Sequence, residues 1–234
     1  MKLLTTTAAV LLAAATASAA IITEPIRTYS VGYDLADLQD PPAFFLQTVG
    51  DSAILTLTDV RVGLHLVGTT TGSGFAGDMF VSITKDLSLT SILLNRVGVT
   101  GPSGPSSVGF SYDGWNVSFR DDAANGDIHP ASIVLGDLTG AWQPDGRVSP
   151  TDTARPALLD IFAGSSGNGA WQLNVADLGL DSTMRLESWS LTLIGENGVA
   201  GVAEAPEPST YAAGVALLGM AGTAWWRARR RQSR

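Results

Sequence analysis

The sequence predicts an all-β fold, an antiparallel sandwich or barrel, and three observations carry that prediction. Apolar and polar residues alternate with period two through most of the region between Ile21 and Glu196. Gly, Pro, Asn and Asp interrupt the alternation at short intervals, as turns between short strands require. Helical periodicity is scarcely found there, and no repeat of fixed period suggests a propeller or solenoid. The two ends of the 234-residue chain are different in kind: both are apolar, and each carries its own pattern of charge.

The first of these ends, residues 1–19, has the three parts of a secretory signal. Lys2 gives a positive start, Leu3 to Ala15 an apolar stretch, and Ala17-Ser18-Ala19 the small residues a signal peptidase accepts, with cleavage before Ala20. The apolar stretch is too short to cross a ~30 Å hydrocarbon layer as a helix.

The β domain is assigned to residues 20–203. Val60, Val62, Leu64 and Leu66 alternate with Arg61, Gly63, His65 and Val67, so one strand has one continuous apolar face. Met79, Val81 and Ile83 form a second such face, and Trp115, Val117 and Phe119 a third. Trp171, Leu173 and Val175, then Trp189, Leu191 and Leu193, predict two closing strands joined by a turn at 178–183. Trp171 and Trp189 should therefore be buried on facing or adjacent strands. With no cysteine in the chain, disulfides, zinc-thiolate sites and a thiol nucleophile are excluded, and stability must come from core burial.

Charge narrows the partners. Between Ala20 and Ala203 there are eight Lys or Arg against twenty Asp or Glu, a balance of 8 − 20 = −12. Such a body repels nucleic-acid phosphates, so no nucleic-acid partner is expected.

The C-terminal end, residues 204–234, combines Pro206, Glu207 and Pro208 with an apolar stretch over 211–226 and then Arg227, Arg229, Arg230, Arg231 and Arg234. The prolines keep the first part extended. The apolar stretch predicts a hydrophobic helix, with Trp225, Trp226 and the arginines placed for a membrane interface and a cytoplasmic end. This order of elements resembles the PEP-CTERM sorting signal of Gram-negative bacteria. The resemblance implies that an exosortase-like enzyme reads Pro206-Glu207-Pro208, that the helix anchors the chain transiently in the inner membrane, and that the mature protein resides in the cell envelope or on the outer surface.

The middle domain resembles a second family. Gly169 to Asp177, followed by Leu186 to Leu193, is similar to the closing strands of the P domain (P/Homo B) that accompanies subtilisin-like proprotein convertases. Gly77-Asp78-Met79-Phe80-Val81, Leu93 to Gly98, Phe119 to Ala124 and Trp142 to Gly146 are similar to further stretches of the same family. Where that family has a His a few residues before Gly-Asp-Leu, this chain has Gly72 to Ala76, and His65 lies earlier. The resemblance implies a jelly-roll β-sandwich of galactose-binding-like architecture. P domains steer or stabilise a neighbouring protease domain, and this chain has no room for one.

No catalytic set is expected. Only His65 and His129 could act as a general base; His65 lies on a strand and His129 in a loop before Pro130, neither in a recognisable catalytic motif. Asp is abundant and clusters at predicted strand ends. Asp78, Asp121, Asp122, Asp127, Asp177 and Asp181 are candidate calcium ligands, because calcium takes six to eight hard oxygens from short carboxylates and loop carbonyls. The same residues also fit solvated Asx turns and caps. The function expected is that of an exported, non-catalytic surface or matrix protein whose sandwich contacts exopolysaccharide or envelope proteins. The alternatives are a carbohydrate-binding module and an accessory domain for a secreted subtilisin-like protease.

Overall fold

The computed structural model describes residues 19–69, 74–103, 107, 109–132, 136–180 and 183–200. The expected signal segment, Pro206-Glu207-Pro208, the predicted helix over 211–226 and Asp181 lie outside these residues. Among the described residues no helix is long and apolar enough to cross a membrane.

Two sheets carry the fold, as the alternation predicted. The larger comprises β1 (Ala19–Thr23), β2 (Arg27–Asp34), β4 (Ile54–Gly68), β9 (Gly114–Phe119), β10 (Asp137–Trp142) and β12 (Met184–Ala200). Its order is β1-β12-β4-β9-β10, with β2 also pairing to β12. The smaller comprises β3 (Ala43–Val49), β6 (Met79–Lys85), β7 (Leu89–Asn95) and β11 (Gly169–Asp177), in the order β3-β11-β6-β7. A short ribbon pairs β5 (Gly74–Phe75) with β8 (Ser111–Tyr112). Successive strands such as β3 and β4 pass from one sheet to the other, the connectivity of a sandwich whose sheets share one core.

Register lines up the apolar positions. Leu64 stands opposite Trp189 on one side and Val117 on the other; Leu66 opposes Leu186 and Trp115, and Val62 opposes Leu191 and Phe119. In the smaller sheet Leu173 opposes Ile83, and Val175 opposes Val81. All these side chains are buried, in one continuous core. Leu186 and Trp189 both point inward although they are three positions apart, an odd interval that should put them on opposite faces. A register shift between Leu186 and Ser188 restores the phase, which is what a bulge does for a strand that must keep one face dry.

Trp171 and Trp189 are both buried, on the two opposed sheets. Trp171 meets Phe162 edge-on at 5.1 Å between ring centroids, and Trp189 lies 4.6 Å from Tyr29.

One pairing departs from the antiparallel expectation: β9 and β10 run parallel, with Trp115 opposite Leu138 and Phe119 opposite Trp142. Parallel neighbours need a crossover rather than a tight turn. After β9, residues 120–132 are tied down by Ile128, which is fully buried, and by the main-chain bonds Ile128 N to Gln143 O and Gln143 N to Gly126 O. Period-two patterning reports that a strand has two faces and is silent on the direction of its neighbour.

Candidate functional site

The outward positions of the larger sheet form two rows that follow from its register. One row runs Thr28, Ser190, Gly63, Ser118, Ala141, and the next runs Ser30, Ser188, His65, Asn116, Thr139. Across their middle lies an open groove of about 460 Å³, lined by Thr28, Gly63, His65, Asn116, Ser118, Gly140, Ser188 and Ser190 together with Leu64, Val117, Ala141 and Trp189. Gly63 keeps its floor low, since a Cβ there would collide with the Ser190 hydroxyl. Among the described residues the lining has no Asp, Glu, Lys or Arg, although the domain is strongly acidic. Hydroxyls, an amide and an imidazole offer both donors and acceptors, the equipment for a neutral, hydroxyl-rich ligand. Trp189 contributes only at the floor because its ring is in the core, and Trp142 is half-buried with Nε1 donating to the Thr139 carbonyl at 2.9 Å. Among the described residues the groove surface therefore presents hydrogen-bonding groups rather than an aromatic platform. His65 lies on it as a cross-strand residue opposite Ser188 and Asn116.

His129 is in a loop, as expected, but it is buried, and the loop builds an ion-pair network that the sequence did not reveal. Its Nδ1 lies 2.6 Å from Asp145 Oδ2, and its Nε2 lies 2.9 Å from the Val99 carbonyl. Both partners are acceptors, so only the doubly protonated ring donates to both. Burial alone would pull the His129 pKa down; the hydrogen bond and charge of Asp145 outweigh it and hold the pKa above its ordinary value. Asp145 is 0% exposed and also receives Arg147 Nη1 at 3.1 Å. Arg147 in turn reaches Asp127 Oδ2 at 2.6 Å, and Arg155 approaches Asp127 Oδ1 at 3.8 Å. A His–Asp pair is two of the three members of a hydrolytic triad. Here Nε2, the atom that would take a proton from a nucleophile, is held by a main-chain carbonyl.

Of the six candidate calcium ligands, the five that are described fall in three separate places. Asp127 gives both carboxylate oxygens to Arg147, and although burial pushes its pKa up, these bonds hold it below the ordinary value. Asp121 accepts the Leu159 and Asp160 amides at 3.1 and 2.7 Å, tying down the short 3₁₀ turn Leu159–Phe162. Burial, opposed by those amides and helped by Asp160 and Asp59, raises its pKa. Asp122 is exposed, 3.5 Å from Arg120 Nε. Asp121, Asp122, Asp59 and Asp160 do line a common pocket of about 330 Å³, but Asp59 is paired with Arg61 at 3.2 Å. Among the described residues no three His, Asp or Glu side chains are grouped so as to hold a metal ion.

Asp78 and Asp177 are brought together. Asp177 ends β11, and Asp78 ends the 3₁₀ turn Ala76–Asp78 just before β6, whose Met79 is the register partner of Asp177. Gly179 fits between them: its N–H donates to Asp177 Oδ1 at 3.1 Å, and a Cβ on it would strike the Asp78 carboxylate. Asp177 is 0% exposed, and its Oδ2 has no hydrogen-bond partner. Burial pushes its pKa up to about 6, against the pull of the Gly179 amide, and the charges of Asp78 and Asp37 add to the rise.

No protein-family model matches the chain, and no curated protein matches it. Among solved structures, the chain is similar to one in the crystal structure of the Aeromonas sobria serine protease complexed with the chaperone. That match has a TM-score of 0.44 and 16% identity, over 76% of this chain and 27% of the other. A crystal structure of the serine protease of Aeromonas sobria gives a TM-score of 0.43 and 17% identity, over 75% of this chain and 27% of that one. This chain thus spans about a quarter of the length of the chains it matches.

Proposed function

We propose that this chain is an exported, non-catalytic surface protein whose β-sandwich contacts a neutral exopolysaccharide through the groove on its larger sheet. The observation that carries the reading is the lining: hydroxyl, amide and imidazole groups on adjacent strands, with no Asp, Glu, Lys or Arg among the described residues, in a domain otherwise crowded with carboxylates. A neutral glycan presents matching hydroxyls and is not repelled by the surrounding charge, whereas an anionic polymer would be. The leader over 1–19 and the Pro206-Glu207-Pro208 tail support the export half of the proposal, with signal peptidase and an exosortase-like enzyme as processing partners and the Gram-negative envelope as the destination.

Affinity electrophoresis of the purified chain through gels containing host exopolysaccharide tests the binding half. The Asn116→Ala, Ser188→Ala, Ser190→Ala variant should lose at least about tenfold in retardation while keeping the parent's melting curve, because isolated surface positions contribute little to stability. Unretarded parent protein, or equal retardation of the variant, would defeat the groove. The export half is tested separately by replacing Pro206, Glu207 and Pro208 with Ala in the native host. The sorting reading expects this variant to accumulate in the membrane fraction with an intact C-terminus, whereas a plain anchor would treat both forms alike.

A further inference from the structure

We infer that Asp177 and Asp78 together hold one calcium ion at the end of the smaller sheet. Asp177 is fully buried, and its Oδ2 has no protein partner. A buried carboxylate oxygen left without a donor carries its full desolvation cost, and native structures rarely keep one without a reason. Among the described residues no cation acts on Asp177. The ionisable groups that act on Asp177 are two further acids, Asp78 from the turn before β6 and Asp37 from the segment after β2. A buried carboxylate oxygen with no donor, influenced by further acids and by no described cation, is a place where the protein's own side chains supply no positive charge.

The surroundings are rigid and rich in oxygen. Gly179 brings the two carboxylates to either side of one residue, and the Leu178 amide donates to the Asp78 carbonyl at 2.8 Å. The segment after β2 closes the other flank, with Leu38 N on the Gly179 carbonyl at 3.1 Å and Gln39 N on the Asp177 carbonyl at 2.8 Å. All the donors are hard oxygens, which disfavours copper or zinc. Two carboxylates supplemented by carbonyls and water suit calcium's flexible shell of six to eight ligands, whereas magnesium demands a near-ideal octahedron. So small a charge count places the affinity in the range of extracellular modules, a Kd of about 0.1–1 mM. Asp121 and Asp127 differ from Asp177 in the decisive respect: amides or arginine engage both of their carboxylate oxygens, whereas Asp177 Oδ2 has no partner. This inference is independent of the glycan groove.

The test uses the full chain, purified in detergent and stripped with chelator, then titrated with calcium chloride by calorimetry and followed by thermal melting. One binding event per chain is expected, with a melting temperature raised by about 5–10 °C once calcium is a hundredfold above Kd. Asp177→Asn, which keeps the side chain's shape and removes its charge, should weaken binding at least tenfold, as should Asp78→Asn, while Asp121→Asn should bind like the parent. A parent chain that shows neither heat nor a melting shift would overturn the site, as would Asp177→Asn binding as tightly as the parent. If Asp177→Asn is more stable than the parent in chelator and the parent ignores calcium, the pair shares a proton and the calcium inference fails.

Discussion

Asp145 and Asp177 are both completely removed from water, and the molecule treats them in opposite ways. Asp145 is held by His129 on one oxygen and Arg147 on the other, inside a network that continues to Asp127 and Arg155. Asp177 has a single amide on one oxygen, nothing on the other, and acids for neighbours. The contrast teaches that burial alone does not mark a carboxylate as a ligand. What marks it is burial without an internal donor, and a domain with only eight basic residues between Ala20 and Ala203 cannot supply a donor everywhere.

The largest effect should come from breaking the satisfied cluster. Arg147→Met leaves Asp145 and Asp127 short of their main cation and should cost about 3–5 kcal/mol in urea denaturation, the usual loss when one member of a buried ion pair is removed. A loss under about 1 kcal/mol would show that Asp145 is no better provided for than Asp177, and the contrast would collapse.

The second effect concerns Asp177 in calcium-free buffer. Its folded pKa is raised from 3.8 to about 6, so the native state holds the proton more tightly than the unfolded chain does. The parent should therefore lose stability relative to Asp177→Asn as pH rises from about 4 to above 6, by about 3 kcal/mol for a shift of two units. A pH-independent difference between the two proteins would mean that Asp177 meets enough solvent to ionise freely.

His129 gives the smallest effect. With its folded pKa above the ordinary 6.5, its contribution is fully present below that value and is lost as pH rises through the folded pKa. His129→Gln should cost about 1–2 kcal/mol near pH 6, because Asp145 keeps Arg147, and it should flatten the decline of stability on the alkaline side. Guanidinium melts of both proteins across pH 6–9 check this, and parallel declines would assign the alkaline loss to another group.

The sheets were legible in the sequence because each strand has one dry and one wet face. Val60 to Leu66, Trp115 to Phe119, Trp171 to Val175 and Trp189 to Leu193 announce their burial by alternation alone. The Leu186 to Trp189 interval breaks the period, and only the bulge explains why both ends are buried. The His129 network was not legible as such. Its members come from residues 127 to 155 and meet only because β10 returns parallel to β9. A usable hint was the placing of Arg147 and Arg155, two of the eight basic residues, within a short stretch beside Asp145 and Asp152. The six candidate aspartates looked equivalent for a related reason. Sequence gives the carboxylates, but it does not say which amide or guanidinium reaches each one first. The groove was hidden too, since Ser188, Gly63 and Asn116 are ordinary wet-face residues until register sets them side by side.

The position of β12 has a mechanical consequence. It is the last described strand, it is bonded along most of its length to β4, and its other side is covered by β2 and then β1. Ladder hydrogen bonds lie across the strand direction, so tension drawn out through the chain beyond Ala200 would load both ladders in shear, many bonds at once. A strand peeled sideways from an edge would give way one bond at a time. If the following segment tethers the domain, the strand that takes the strain is the one best seated to bear it.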